Sequence, residues 1–236
     1  MGAGLDGDRD NMVLRAARVL RETVGLSNGA ALRLDKTLPV AAGIGGGSAD
    51  AAAALRLLSR LWDPHVDRAR LPDCALRLGA DVPVCLASRA CRMSGIGETL
   101  TPVALPSLHA VLVNPGRAVS TADVFAALEH VDNPPLDDPP QGDRIVDWLD
   151  WVGAQRNDLA AAAFRLEPSI GTVLDAIGRS GGIARMSGSG ATCVGLYRDG
   201  DASAWAADAL RNAYPSWWVA DCTLGDAPDD TTGEPA

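Results

Sequence analysis

Apolar residues recur at helical spacing over several stretches of this chain. Val13, Ala16, Ala17 and Leu20 fall at i, i+3, i+4 and i+7, which predicts a helix capped by Asp10 or Asn11. The alanine- and leucine-rich run from Ala49 to about Trp62 predicts a second helix, and Leu71 to Leu78 a third that ends at Gly79. Thr121 to Leu128, Asp158 to Arg165 and Ile170 to Ile177 read as further helices, the last two around Pro168. Ala30 to Leu34 alternates and predicts a strand leading into Asp35-Lys36. Val82 to Leu86 and Ala90 to Met93 read as short strands, and His109 to Val113 as an apolar strand closed by Asn114-Pro-Gly116. Ala184 to Met186 and Ala191 to Tyr197 flank a glycine-serine turn, before a helix at Ala202 to Ala213 and a strand at Trp217 to Cys222.

Strands and helices therefore interleave without the steady alternation of a parallel sheet. That predicts an α+β architecture, with helices on one face of a mostly antiparallel sheet. Asp132 to Asp143 holds four prolines, four aspartates and a glycine, a surface loop by composition. A boundary near Thr101 to Pro106 would divide the chain into lobes at 1–104 and 105–224, with a cleft between them. The acidic tail, 225–236, is expected to be disordered, and Met1 to Asp8 is a poor opening for a folded domain. No internal repeat is visible.

Composition narrows the classes. With 236 residues, 47% hydrophobic and 22% charged, the chain is an ordinary globular one. Its net charge of -9 argues against nucleic acid as a partner. Lys36 is the only lysine. The odd number of cysteines (Cys74, Cys85, Cys91, Cys193 and Cys222) and the lack of a C-x-x-C pair suit reduced thiols in the cytoplasm. His65, His109 and His130 have no metal-ligand spacing. No apolar run is long enough for a membrane span, and no export signal opens the chain.

The chemistry concentrates at Gly43, Gly45, Gly46 and Gly47, directly before the helix that starts near Ala49. Glycines let a ligand approach the backbone, and a helix N-terminus offers unpaired N–H groups and partial positive charge to a phosphate. Ser48 can cap the helix or offer its hydroxyl to a phosphate or to Mg²⁺. A capped hinge would need no three consecutive glycines. No Lys-Ser or Lys-Thr follows the glycines, so this is not a Walker A loop. Pro39 interrupts the lead-in, and Ser48 stands where the last glycine of a dinucleotide-binding turn would fall.

The phrase Pro39-Val-Ala-Ala-Gly-Ile-Gly-Gly-Gly-Ser-Ala-Asp-Ala-Ala-Ala53 resembles the ATP-binding motif of the GHMP kinases. Within that superfamily the likeness is to the 4-diphosphocytidyl-2-C-methyl-D-erythritol kinases. Asp10 to Ala17, Asp35-Lys36, Gly79-Ala-Asp-Val-Pro83, Gly95-Ile-Gly-Glu98, Asn157-Asp-Leu159 and Met186-Ser-Gly-Ser-Gly-Ala191 match further motifs in order. The resemblance runs from Asp10 to Cys222.

It implies a two-lobed GHMP kinase fold, with an N-lobe like the second domain of ribosomal protein S5 and a ferredoxin-like C-lobe. It also implies ATP and Mg²⁺ as cofactors, and transfer of the γ-phosphate to the 2-hydroxyl of a cytidyl diphosphate methylerythritol. Asp81 matches the family's catalytic base. ATP contacts fall on Pro39, Val40, Ala41, Ala42, Gly43, Ile44, Gly45, Gly46, Gly47, Ser48 and Ala49, with Lys36 and Asn11 at the nucleotide's border. Ser187, Gly188, Ser189, Gly190 and Thr121 are candidates to face phosphate or substrate; a tight turn and a helix cap are their other readings. The metal ligands stay unassigned. The partners are small molecules, with neither nucleic acid nor membrane, and a homodimer is left open.

The match has one gap. Family members begin with a strand bearing a lysine near the aspartate, followed by residues that grip cytidine, and nothing before Asp10 is equivalent. The N-lobe is therefore expected to be incomplete, because Met1 is internal to a longer enzyme or because this is a short product with a crippled site. Other GHMP members, of homoserine or mevalonate kinase type or a decarboxylase relative, are the rival enzymes. A nucleotide-binding remnant without turnover is the rival from another class.

Overall fold

The computed structural model describes residues 11–27, 29–39, 43–62 and 68–225. Val40, Ala41 and Ala42, the opening and closing segments and His65 lie outside the described residues. Two compact units divide the chain: one takes Met1–Thr37 and Gly45–Val103, the other Leu38–Ile44 and Ala104–Ala236.

The first unit is mainly helical among its described residues. Helix α1 (Met12–Val24) starts where Asn11 Oδ1 accepts from the Val13 N–H at 2.9 Å. It buries Val13, Ala16 and Leu20 against Ala51, Ala52, Leu55 and Leu58 of α2 (Gly46–Trp62). Alanines on the facing stripe keep the side chains short and let the helices approach closely, while each fully buried leucine contributes about 1.5–3 kcal/mol. Helix α3 (Leu71–Leu78) adds Leu71, Cys74, Ala75 and Leu78 to the same core. A hairpin, β1 (Cys91–Ser94) and β2 (Thr99–Pro102), pairs antiparallel.

Two expected strands in this unit are absent. Val82 to Leu86 forms α4 (Val82–Ala87) instead. Pro83 sits in its first turn, where a missing N–H costs nothing. Arg56 Nη1, from α2, donates to the Cys85 and Leu86 carbonyls at 3.0 and 3.3 Å, satisfying the helix end. Tertiary contact thus overrides the β-propensity of the valines. Ala30 to Leu34 pairs with no strand among the described residues, and alternation without a ladder makes no sheet. The stretch is held at either end instead, by the Trp62 indole N–H on the Gly29 carbonyl and by Lys36 on Asp50.

The second unit is built on a sheet. Its elements are β3 (Leu108–Asn114), α5 (Thr121–Ala126), α6 (Ile145–Ala154), α7 (Ala160–Leu166), α8 (Ser169–Arg179), β4 (Ile183–Met186), β5 (Cys193–Tyr197), α9 (Gly200–Ala213) and β6 (Trp218–Leu224). The strand order is β4-β5-β3-β6, with every neighbour antiparallel. Counting α5 to α8 as one crossover and α9 as the other gives the β-α-β-β-α-β order of a ferredoxin-like sheet. The register sets Val111 opposite Gly195 and Val113 opposite Cys193. Those valines pack in one core with Met186, Val173, Ile177, Ala206, Ala207 and Leu210. Helix α6, which the sequence reading passed over, buries Trp148 and Leu149.

Candidate functional site

In the first unit, the expected phosphate loop runs straight into α2. The helical ladder begins with the Ala49 N–H donating to the Gly45 carbonyl at 2.9 Å, so the amides of Gly46, Gly47 and Ser48 precede it. A Cβ built on Gly45 or Gly46 would meet nothing within 4 Å, so the space above these peptides is open. Gly47 lies beside Met12, the first residue of α1, whose Cγ is 3.7 Å from where its Cβ would be. Asn11 is thereby placed at the α1 terminus next to the first turn of α2, with its side chain engaged as the cap. Lys36 pairs with Asp50, on the first turns of α2, and both side chains are about three-quarters buried, at 23% and 24% exposure. The only lysine is thus held to the loop's own helix.

Asp81 stands at the head of α4. Its side chain is exposed, makes no capping bond and has no hydrogen-bond or ion-pair partner among the described residues. The backbone around it is firmly held. Val82 and Pro83 are buried, the Val82 N–H donates to the Gly79 carbonyl at 3.1 Å, and Arg56 ties α4 to α2. Gly97, in the turn between β1 and β2, presses on the preceding peptide: a Cβ there would fall 2.1 Å from the Ala80 oxygen, and its φ is +97°. Only glycine fits. The same turn is closed by Glu98, whose Oε2 accepts from the Ile96 N–H at 2.6 Å. Four residues after Asp81, burial pushes the Cys85 thiol pKa up, and the Asp81 charge adds to it against the opposing pull of Arg56.

In the second unit, the turn from Ser187 to Gly190 links β4 to β5 and is densely bonded. The Ser187 N–H donates to the Thr192 carbonyl and the Gly190 N–H to the Ser187 carbonyl, each at 2.9 Å. Thr121 and Ser189 share a hydroxyl–hydroxyl bond of 2.8 Å. Ser120, not Thr121, caps α5, accepting from the Asp123 N–H. The Ser187 hydroxyl donates to the Gly43 carbonyl at 2.9 Å. A Cβ on Gly43 would lie 2.2 Å from the Gly190 oxygen, and φ there is +70°, so within the second unit Gly43 and Gly190 meet backbone to backbone.

Sequence reasoning gave no role to three groups, two that organise this turn and one beside Asp81 in the first unit. Asn157 reaches the turn from ahead of α7, through its Nδ2 on the Met186 and Gly188 carbonyls. Asn114, buried, donates to Thr192 Oγ1 at 2.9 Å and accepts from the Gly116 N–H at 2.8 Å. Gly97 is the third. Asn157 and Gly97 lay inside recognised motifs, but their partners are distant in sequence, and only folding shows the contact. Among the described residues no group of three His, Cys, Asp or Glu side chains could hold a metal ion, and no helix is long and apolar enough to cross a membrane.

Family models for the GHMP kinases N terminal domain and the GHMP kinases C terminal match residues 11–89 and 144–216. The chain is 50% identical over 230 residues to the 4-diphosphocytidyl-2-C-methyl-D-erythritol kinase of Rhodopseudomonas palustris, covering 92% of this chain and 74% of that one. A crystal structure of 4-(cytidine 5'-diphospho)-2C-methyl-D-erythritol kinase superposes with a TM-score of 0.74 at 36% identity, covering 95% of this chain and 81% of that one. Homoserine kinase from Cytophaga hutchinsonii reaches a TM-score of 0.73 at 20% identity, covering 94% and 80%, a likeness of fold. This chain belongs to the GHMP kinase family.

Proposed function

We propose that the chain transfers the γ-phosphate of ATP to the 2-hydroxyl of 4-diphosphocytidyl-2-C-methyl-D-erythritol, a step of non-mevalonate isoprenoid precursor synthesis. The observation that carries this reading is the first turn of α2: open space over Gly45 and Gly46, and the Gly46, Gly47 and Ser48 amides ahead of the ladder, in a chain half identical to kinases of that name.

The residues fit a triphosphate. The Gly46, Gly47 and Ser48 amides donate to anionic oxygens at the positive end of α2, and the open space over Gly45 and Gly46 admits them. Bound Mg²⁺ would offset the charge that develops between the phosphates. The Ser48 hydroxyl, on the first turn of α2, is the candidate protein ligand that would hold it. Pro39 to Ala42 would complete the loop, and Lys36, bound to Asp50, would border the nucleotide as part of the wall.

Asp81 is the base. Its exposed, unpaired carboxylate accepts the proton of the substrate hydroxyl as that oxygen bonds to the γ-phosphorus and the bond from phosphorus to the β–γ bridging oxygen breaks. The products are the 2-phosphate and ADP. Val82, Pro83 and Gly97 hold the peptide that aims the carboxylate, and a positioned base contributes about 10²- to 10⁴-fold in rate. The five free thiols suit a reducing compartment, the cytoplasm.

Phosphorus NMR of the purified chain with ATP, Mg²⁺ and a panel of alcohols tests this. The expected result is a new phosphomonoester signal with the cytidyl substrate alone. Transfer to homoserine or mevalonate instead would move the chain to another branch of the family, and ATP binding without any ester would make it a remnant.

A further inference from the structure

Asn157 is engaged through every polar atom of its side chain. Nδ2 donates to the Met186 carbonyl at 3.0 Å and the Gly188 carbonyl at 2.9 Å, while Oδ1 accepts from the Leu159 N–H at 3.0 Å. The first two bonds grip the glycine turn between β4 and β5; the third opens α7. A carboxamide alone among short side chains supplies two donors and an acceptor in one fork. Aspartate lacks the donors, and serine lacks both the reach and the second donor.

The turn it grips is the one that touches Gly43. Ser187, between the two carbonyls that Asn157 holds, donates its hydroxyl to the Gly43 carbonyl at 2.9 Å. Gly190 O sits where a Gly43 Cβ would fall, and a Cβ on Gly188 would be 3.1 Å from the Gly43 oxygen. All these residues belong to the second unit, which includes Leu38–Ile44. The β4–β5 pairing does not need Asn157: its register, Met186 opposite Cys193, is closed by the Ser187 to Thr192 backbone bond. Asn157 adds no rung to the ladder and sets only the conformation of the turn.

We propose that Asn157 is a positioning residue for the nucleotide: through the Ser187–Gly190 turn it fixes Gly43, the entry to the phosphate loop, without touching the ligand. The inference rests on the reading of that loop as a triphosphate site. It distinguishes two roles for one side chain, because the acceptor end serves α7 and the donor end serves the loop.

Asn157→Asp separates them, keeping an oxygen for the Leu159 N–H while removing both donors and setting a charge against two carbonyls. In the full chain, hydrogen exchange of peptides containing Gly43 and Ile44 is expected to quicken about tenfold, as befits loss of one to two hydrogen bonds, with α7 protection unchanged. KM for ATP should rise about tenfold, and KM for the alcohol should stay within about twofold. Ser187→Ala should reproduce the exchange effect, and the double variant should be no worse than Asn157→Asp alone, since both act through Gly43. Unchanged exchange at Gly43 and Ile44, an unmoved KM for ATP, or additive effects in the double variant would overturn the proposal. If Asn157→Asp fails to fold, Ser187→Ala carries the exchange test with the same two outcomes. A wild-type chain that does not use ATP would sink the kinase reading, and the exchange comparison would still decide the link from Asn157 to Gly43.

Discussion

The two glycine-rich segments of this molecule are alike in composition and opposite in condition. The Ser187–Gly190 turn is held by many bonds: both serine hydroxyls, the Ser187 and Gly190 amides and the Ser187 and Gly188 carbonyls are engaged, with Asn157, Thr121, Thr192 and Gly43 among the partners. The glycines at the head of α2 are bare, with open space above them and three amides outside the helical ladder. Asp81 shares that bareness, an unpaired carboxylate on a tightly held peptide. Amides outside a helical ladder stay free to donate to a ligand, whereas bonded groups hold their segment in place. Glycine serves both ends: at the head of α2 it leaves open space, and at Gly43 and Gly190 it lets two backbones touch.

The comparison breaks most visibly at Asp81. Asp81→Asn should lower kcat by about 10²- to 10⁴-fold while leaving the melting temperature unchanged, because the exposed side chain supports nothing in the fold. Steady-state kinetics beside a thermal melt checks both halves. Gly97→Ala should follow, with kcat falling because a methyl group 2.1 Å from the Ala80 oxygen must displace the peptide before Asp81. Restoring glycine at that position, and no change in substrate affinity, would separate aim from binding.

Gly43 and Gly46 then sharpen the contrast. Gly43→Ala places a methyl group against the Gly190 oxygen in left-handed backbone, a cost of at least about 1–2 kcal/mol by urea denaturation. Gly46→Ala meets nothing and should stabilise the free chain by roughly 0.5 kcal/mol, yet weaken ATP binding by crowding the open amides. Opposite signs of the two stability changes are the signature of one glycine kept for structure and one for a ligand. The smallest effect belongs to Cys85. Its thiol pKa is raised by burial and then by the Asp81 charge, so Asp81→Asn should lower it and speed alkylation at a fixed mildly alkaline pH.

Much of this was legible in the sequence where local chemistry decides. The α1 stripe and the helix after the glycines follow from spacing, which left the cap between Asp10 and Asn11; the bond from the Val13 N–H assigns it to Asn11. Val82 to Leu86 misled because valine favours strands, while the forces that make it helical, Pro83 in the first turn and an arginine from α2, are partly remote. Ala30 to Leu34 alternates like a strand, but a strand needs a partner, and none pairs with it among the described residues. Helix α6 carried a signal that was missed: Ile145, Trp148, Leu149 and Val152 fall at i, i+3, i+4 and i+7, hidden behind a proline- and aspartate-rich loop. The glycines stood out by type, and Asp81 only through the resemblance of Gly79-Ala-Asp-Val-Pro83 to the family's motif. Asn157 did not, because its bonds span 29 and 31 residues and depend on the sheet being built first.

Amide spectra of the chain titrated with ATP and Mg²⁺ probe the phosphate cradle at the residues that form it. The Gly46, Gly47 and Ser48 N–H resonances should move furthest and shift downfield, as amides do on bonding to phosphate oxygen. ATP that binds elsewhere and leaves those three resonances in place would contradict the account.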